Sequence, residues 1–454
     1  MTQNMTVGSP FRHILRFAAP MLLGMLFQQF YNMMDSVIVG RLLGSDALAA
    51  VGSTGSISFL VIGFCMGICS GFAIPVAQSF GAGDYSRMRR FVGNSIWLGA
   101  VSAIVLTGVT MLLCRSILTW MQTPSDIFED AFRYIFLIFA GIPATILYNL
   151  VSGIIRSLGD SRTPVIFLAV SSVLNIVLDV VFIMQFHSGV AGAAWATIIA
   201  QAVSGLLCLI YAARHCPVLR LSREELKYNP RMARTLWGMG LPMGLQYSIT
   251  AIGCAVLQAF LNQLGTDAVA ASTVGNKLGQ LFCCPFDALG STMATYCGQN
   301  VGAGKVDRLQ KGMNSAGIIG SIYALLALGV MLLWAPQLSL LFLKADQTYL
   351  VSMSTEYMIA QAAFYVPLTY LNNIRFGIQG MGFTQLAILA GVLEMVARTA
   401  VGFLLVPRFG YLAACLGSPV AWIAADLFLF PAAHFCIKKL RRTLSPAPES
   451  PQPH

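Results

Sequence analysis

Apolar runs of about 20 residues or more, recurring along nearly the whole chain, decide what this sequence can fold into. A helix rises about 1.5 Å per residue, so each run can cross the ~30 Å hydrocarbon core of a bilayer. Twelve spans are read, at 14–40, 47–79, 91–113, 130–155, 164–186, 190–213, 235–264, 267–299, 312–334, 350–378, 384–406 and 411–437. With 57% hydrophobic and 10% charged residues, the chain has too little polar surface for a soluble domain. The expected fold class is an all-α integral membrane protein of twelve transmembrane helices. The first span follows Arg12, contains Pro20 and lacks a small-residue cleavage site, so it is expected to be retained.

The net charge of +10 could suggest nucleic acid, but the basic residues sit in alternate connections. Arg87, Arg89, Arg90, Arg156, Arg162, the arginines of 214–234, Lys305, Arg308, Lys311, Arg375 and Lys438 to Arg442 are read on one side. Arg41, Arg115, Arg133, Lys344 and Arg408 are read on the other. This asymmetry predicts a multi-pass protein of the plasma (inner) membrane with both termini cytoplasmic, its environment the lipid bilayer and no nucleic-acid partner. Eleven cysteines show no metal-ligand spacing and read as small buried hydrophobes.

An internal repeat organises the chain. LGSDALAA at 43–50 returns as LGTDAVAA at 264–271, GAGD at 81–84 as GAGK at 302–305, Gln78 as Gln299 and Pro20 as Pro242. Two pseudo-symmetric six-helix lobes in the same orientation follow, 1–213 and 235–440. A basic cytoplasmic linker at 214–234 separates them, and a Pro-rich tail at 441–454 is expected to be disordered. Parallel halves that rock about a cleft between them are a transporter design.

Ionisable groups inside spans are costly and usually face a bundle interior or a water-filled cavity. Asp35, Asp179, Lys277, Asp287, Glu394, Arg398 and Asp426 qualify. Glu394 and Arg398, four apart, read as a self-neutralising ion pair. Asp35 and Asp179 have no basic residue at helical spacing. Asp35 lies about 9 Å from the outer end of the first span, and Asp179 lies at a similar depth in the fifth. Asn175, one turn from Asp179, and Thr197 of the sixth span reach the same layer. Two carboxylates, a carboxamide and a hydroxyl are a hard-oxygen set for a small cation such as Na+. Two adjacent carboxylates cannot comfortably both ionise, so H+ is an equal occupant. The second half has no such set: on the repeat, Asn175 meets Arg398 and Asp179 meets Gly402.

The duplicated lobes, YNMMDSVIVGRLLG, QSFGAGD and QNVGAGK, RSLGDSRTP and NIVLD together resemble the multidrug and toxic compound extrusion (MATE) family over nearly the whole chain. The resemblance implies a twelve-helix antiporter that exports small amphipathic, often cationic organic compounds in exchange for Na+ or H+, with no resident cofactor. Its first-lobe cation site carries over onto Asp35, Asn175, Asp179 and Thr197, with Ala193 offering a backbone carbonyl. Gln28, Tyr31 and Asn149 are candidate substrate-binding residues between the lobes. The chain departs from the branch with acids in the seventh and tenth helices: its seventh offers Gln246 and Gln258, and its central tenth offers no acid. It is expected to act as a monomer.

Other classes fit less well. Asp84 of GAGD has Lys305 as its repeat partner, which suits a Gly-rich turn better than an intramembrane aspartyl protease. GAGK lacks the first glycine of a phosphate-binding loop. No HExxH or GxSxG occurs, so the chain is not expected to be an enzyme. The alternative reading is a lipid-linked oligosaccharide flippase of the same superfamily. That should carry a basic central cavity, whereas the unpaired interior charge here is acidic.

Overall fold

The structure, a computed structural model, describes residues 3–444 and is all-α throughout them. The first half contains α1 (Pro10–Leu43), α2 (Ser45–Ser53), α3 (Gly55–Gly81), α4 (Tyr85–Trp120), α5 (Ser125–Ala140), α6 (Ile142–Ser157), α7 (Arg162–Met184) and α8 (Gly189–His215). After a 3-10 turn at Pro217–Leu219 come α9 (Pro230–Gln263), α10 (Thr266–Gly302), α11 (Val306–Ser339), α12 (Thr348–Ala362) and α13 (Tyr365–Gly380). The chain ends with α14 (Thr384–Ala400), a π-helical turn at Val401–Leu405, α15 (Val406–Phe409), α16 (Tyr411–Cys415) and α17 (Gly417–Leu444).

Each sequence-predicted span falls on one helix or on an interrupted one. Among the described residues, eight helices are long and apolar enough to cross a membrane, and a ninth crossing is made if α5 and α6, bent by 42°, are one span. Pro143 at the start of α6 explains that bend, since it can neither donate to the preceding turn nor fit against it. The twelve expected crossings are therefore not reached on length and apolarity alone. The helices that fall short, α1, α10 and the α12–α13 pair, carry Asp35, Asp287 and Arg375. A multi-pass membrane protein results.

Residues 441–444, expected to lie in a disordered tail, instead close α17, with Arg441 and Arg442 in its last turn; the rest of the expected tail, 445–454, lies outside the described residues. The stretch 214–234 is docked on α4. Arg89 Nε pairs with Glu225 Oε1 at 2.6 Å, Trp97 Nε1 donates to the Leu226 carbonyl at 2.9 Å, and the Asn229 amide donates to Asn94 Oδ1 at 2.8 Å.

The repeated QSFGAGD and QNVGAGK segments meet one another where α3 and α10 end. A Cβ on Gly81 would lie 1.9 Å from the Gln299 carbonyl oxygen, and one on Gly302 would lie 1.8 Å from that of Gln78. Only glycine permits this reciprocal approach. Gly83 and Gly304 turn the chain with φ of +71° and +69°, so the repeat extends to backbone conformation. Asp84 then caps α4, accepting the Arg87 amide at 2.9 Å, as a turn residue would.

The cores cross over at the same end. Ile14, Phe17 and Met21 of α1 pack with α10, α11 and α13 of the second half, while Ala233 and Leu236 of α9 pack with α3, α4 and α6 of the first. At their other ends, α1 and α9 return to their own halves: Ile38 and Val39 join Ile183 and Ala193, and Leu261 joins Val401 and Val406. Among the described residues, the hydrogen bonds joining the halves, including Gln78 Nε2 to the Gly380 carbonyl (3.1 Å) and Gln299 Nε2 to the Ser157 carbonyl (2.8 Å), lie at the crossed end. That end carries the basic connections.

Candidate ion-coupling site and the relatives of the chain

The start of α7 is fixed by Asp160 of RSLGDSRTP, whose Oδ1 accepts the amides of Arg162 and Thr163 at 3.1 Å. A short turn after Met184 then sends α8 back antiparallel, so α7 positions near the turn face α8 positions just beyond it. Asn175 Nδ2 donates to Thr197 Oγ1 at 3.5 Å, and Thr197 Oγ1 donates to the Ala193 carbonyl at 3.1 Å. α1 packs along α7 and brings the half-buried Asp35 carboxyl against that of Asp179, which is fully buried. The structure thus brings together Asp35, Asn175, Asp179, Thr197 and Ala193.

No donor of this layer reaches the buried acid oxygens. Asp35 Oδ1, both Asp179 oxygens and Asn175 Oδ1 are buried with no hydrogen-bond partner. Buried carboxylates facing each other without a donor or counter-charge cannot both stay ionised at acceptable cost. A shared proton or a small cation resolves the conflict, and the set of two carboxylates with neutral amide, hydroxyl and carbonyl oxygens suits either. Among the described residues no three or more His, Cys, Asp and Glu side chains gather where they could hold a metal ion.

Tyr31 also belongs to this layer: its ring lies near Asp35 and Asp179, and its hydroxyl faces Gln201 of α8. Tyr134 of α5 approaches the same two acids. The sequence reading missed Gln201 and Tyr134. Gln201 stands one turn beyond Thr197 on the same face and was legible by spacing, whereas nothing in the sequence points α5 toward α1. Gln28 and Asn149 are not hydrogen-bonded to the layer; Asn149 Nδ2 turns back to the Thr145 carbonyl of its own helix at 2.8 Å.

The second half carries a different polar core. Asn372 Nδ2 donates to Asp287 Oδ1 (3.0 Å), Arg375 Nη2 to Asn372 Oδ1 (2.7 Å), Arg375 Nη1 to Glu394 Oε1 (2.8 Å) and Arg398 Nη2 to Glu394 Oε2 (3.1 Å). Asp426 of α17 lies near Glu394 and Arg375. Arg375 is therefore not a loop residue, as its place at the end of a span suggested; it is buried within α13 and shares Glu394 with Arg398. Lys277, read as an interior charge, is exposed over the Phe342 ring. Gln246 of α9 accepts from Gln379 of α13. Asp287 and Glu394 thus have amide or guanidinium donors, whereas Asp35 Oδ1, both Asp179 oxygens and Asp426 Oδ1 have none.

A model of the MatE family matches residues 20–181 and again 242–404, so that the two matches begin at the repeat counterparts Pro20 and Pro242. The chain belongs to the MATE family. Membership makes it a membrane transporter and no enzyme. Among curated MATE-like relatives, the chain is 29% identical to the probable multidrug resistance protein YoeA of Bacillus subtilis strain 168, over 78% of each chain. It is also 29% identical to the probable multidrug resistance protein YpnP of the same strain, over 67% of this chain and 68% of that one. Its fold matches a solved outward-facing multidrug resistance MATE transporter of the MOP superfamily with a TM-score of 0.90, at 22% identity over 97% of this chain and 98% of that one.

Proposed function

We propose that the protein is a secondary antiporter that exports amphipathic, often cationic organic compounds in exchange for Na+ or H+, coupled at the Asp35–Asp179 layer. The observation that carries this reading is the Asp35–Asp179 pair, whose buried oxygens meet no donor, whereas Asp287 and Glu394 of the second-half core are held by Asn372, Arg375 and Arg398. An ion arriving from outside neutralises the pair; because it binds one arrangement of the lobes better than the other, it shifts their equilibrium. A cationic substrate competes for the same negative charge, which couples its release to ion entry. The curated relatives' names support the substrate class.

The lobes are the six-span units 1–213 and 235–440, twelve crossings in all, with the α1, α10 and α12–α13 crossings made polar by the residues they present inward. The basic end is cytoplasmic by the positive-inside asymmetry. Its closure by the crossed cores leaves access from outside, in keeping with the fold match to an outward-facing transporter. Both termini are cytoplasmic and the chain works as a monomer in the plasma membrane.

The test is cationic-dye efflux from proteoliposomes under separately imposed Na+ and pH gradients. Export driven by at least one gradient, and lost in Asp179→Asn, is expected. Export driven by neither would overturn antiport and turn attention to lipid flipping.

A further inference from the structure

Residues Gln3 to Gly8, just before α1, form a strap across the seam between the halves at the basic end. The first half grips one side of it: the Gln3 amide donates to the Leu158 carbonyl at 3.0 Å, and a Cβ on Gly159 would lie 2.1 Å from the Gln3 carbonyl oxygen. The second half grips the other. The Met5 amide donates to Gln299 Oε1 at 2.9 Å, and the Met5 side chain is fully buried in the second-half core. Arg308 donates to the Met5 carbonyl (3.0 Å) and the Gly8 carbonyl (2.9 Å), and Lys305 Nζ to the Thr6 carbonyl (2.9 Å).

Charge-assisted bonds to three carbonyls within four residues, Met5, Thr6 and Gly8, hold this terminal segment firmly, since such bonds are the stronger ones. The strap also holds its own shape. Gln3 Nε2 donates to His13 Nδ1 at 2.8 Å, so the ring proton sits on Nε2 and reaches the Val7 carbonyl at 2.6 Å. Gln299, which holds Met5, is the residue whose carbonyl oxygen abuts Gly81 of the first half. The strap therefore covers the point where the repeated turns interlock, and α1, which carries it, is tied to the first half by the Ser161 Oγ bond to the Phe17 carbonyl (2.9 Å).

We propose that this strap is a latch: it stabilises the closed basic end and must peel from Lys305, Arg308 and Gln299 before that end opens. The idea rests on the rocking of lobes proposed above, but it is read without transport. Hydrogen exchange is measured on the full chain in nanodiscs, for wild type, Arg308→Gln and Arg308→Lys. In Arg308→Gln, peptides over 3–8 and over both repeated turns, 79–84 and 300–305, should exchange about tenfold faster or more, while α7 peptides keep their rate. Arg308→Lys, which keeps a charged donor, should recover part of the protection. Faster exchange of 3–8 alone, with both turns at the wild-type rate, would overturn the latch and leave a passive tail. If Arg308→Gln does not accumulate, Lys305→Gln removes a single bond and is read in the same way. Failure of dye export under every gradient would overturn antiport and leave this result untouched.

Discussion

Asp35 and Asp84 are both acids of α1–α4 connectivity, yet their surroundings give them opposite fates. Asp84 accepts a backbone amide at the head of α4, a role asparagine fills equally well. Asp84→Asn should keep transport and stability, and Asp84→Ala should cost about 1 kcal/mol, checked by thermal melting and dye export. Asp35 faces another carboxylate, and no donor meets its buried oxygen. Asp35→Asn supplies a donor to Asp179 and removes one negative charge, so the protein should fold at least as well while gradient-driven export falls to background; unchanged export in that variant would sink the coupling role. Glu394 answers to a third environment, holding two buried arginines. Glu394→Ala should destabilise by about 3–5 kcal/mol, since it strands both charges, measurable as a drop in melting temperature. Depth along a helix and one-turn spacing were enough to put Asp35, Asn175, Asp179 and Thr197 in one layer. Arg375 was misplaced because a residue near the end of a span can equally begin a loop, and only tertiary pairing with Glu394 decides.

Helix ends and connections set the conformational behaviour. The α3 and α10 termini touch through Gly81 and Gly302 with no room for a methyl group. Gly81→Ala or Gly302→Ala must push the turns apart, because the obstacle is backbone. Either variant should abolish export and speed cysteine labelling at positions introduced near Gln78. The connection between α8 and α9 offers a pH-dependent contact. Burial alone would raise the Glu225 carboxyl, but the Ser222 amide and hydroxyl and the Arg89 guanidinium outweigh it and hold it below the usual carboxylate range. A carboxyl lowered in the folded protein contributes stability above its unfolded value of about 4.3 and loses it as pH falls through the folded value. Trp97, bonded to the Leu226 carbonyl, should report that release as a fluorescence change confined to acid pH, and Glu225→Gln should show it already at pH 7 together with faster tryptic nicking after Lys227. The basic composition of this stretch suggested a linker between the lobes and said nothing of what it touches; its docking on α4 depends on Asn94, Trp97 and Arg89, which sit far away in sequence and carried no local signal.

For the molecule as a whole, the repeat told how many parts there are and left open how they are joined. Matching words at 43–50 and 264–271 imply two copies of one unit, but not that the first helix of each copy would spend its basic end in the core of the other. That exchange is what a domain-swapped dimer does when its two chains are separate. Here the 216–229 connection fuses the swapped partners into one chain, so neither half has a complete interior of its own. A chain cut at Lys227 and supplied as two co-expressed fragments should therefore reassemble and export dye, while either fragment made alone should be degraded or recruit a second copy of itself.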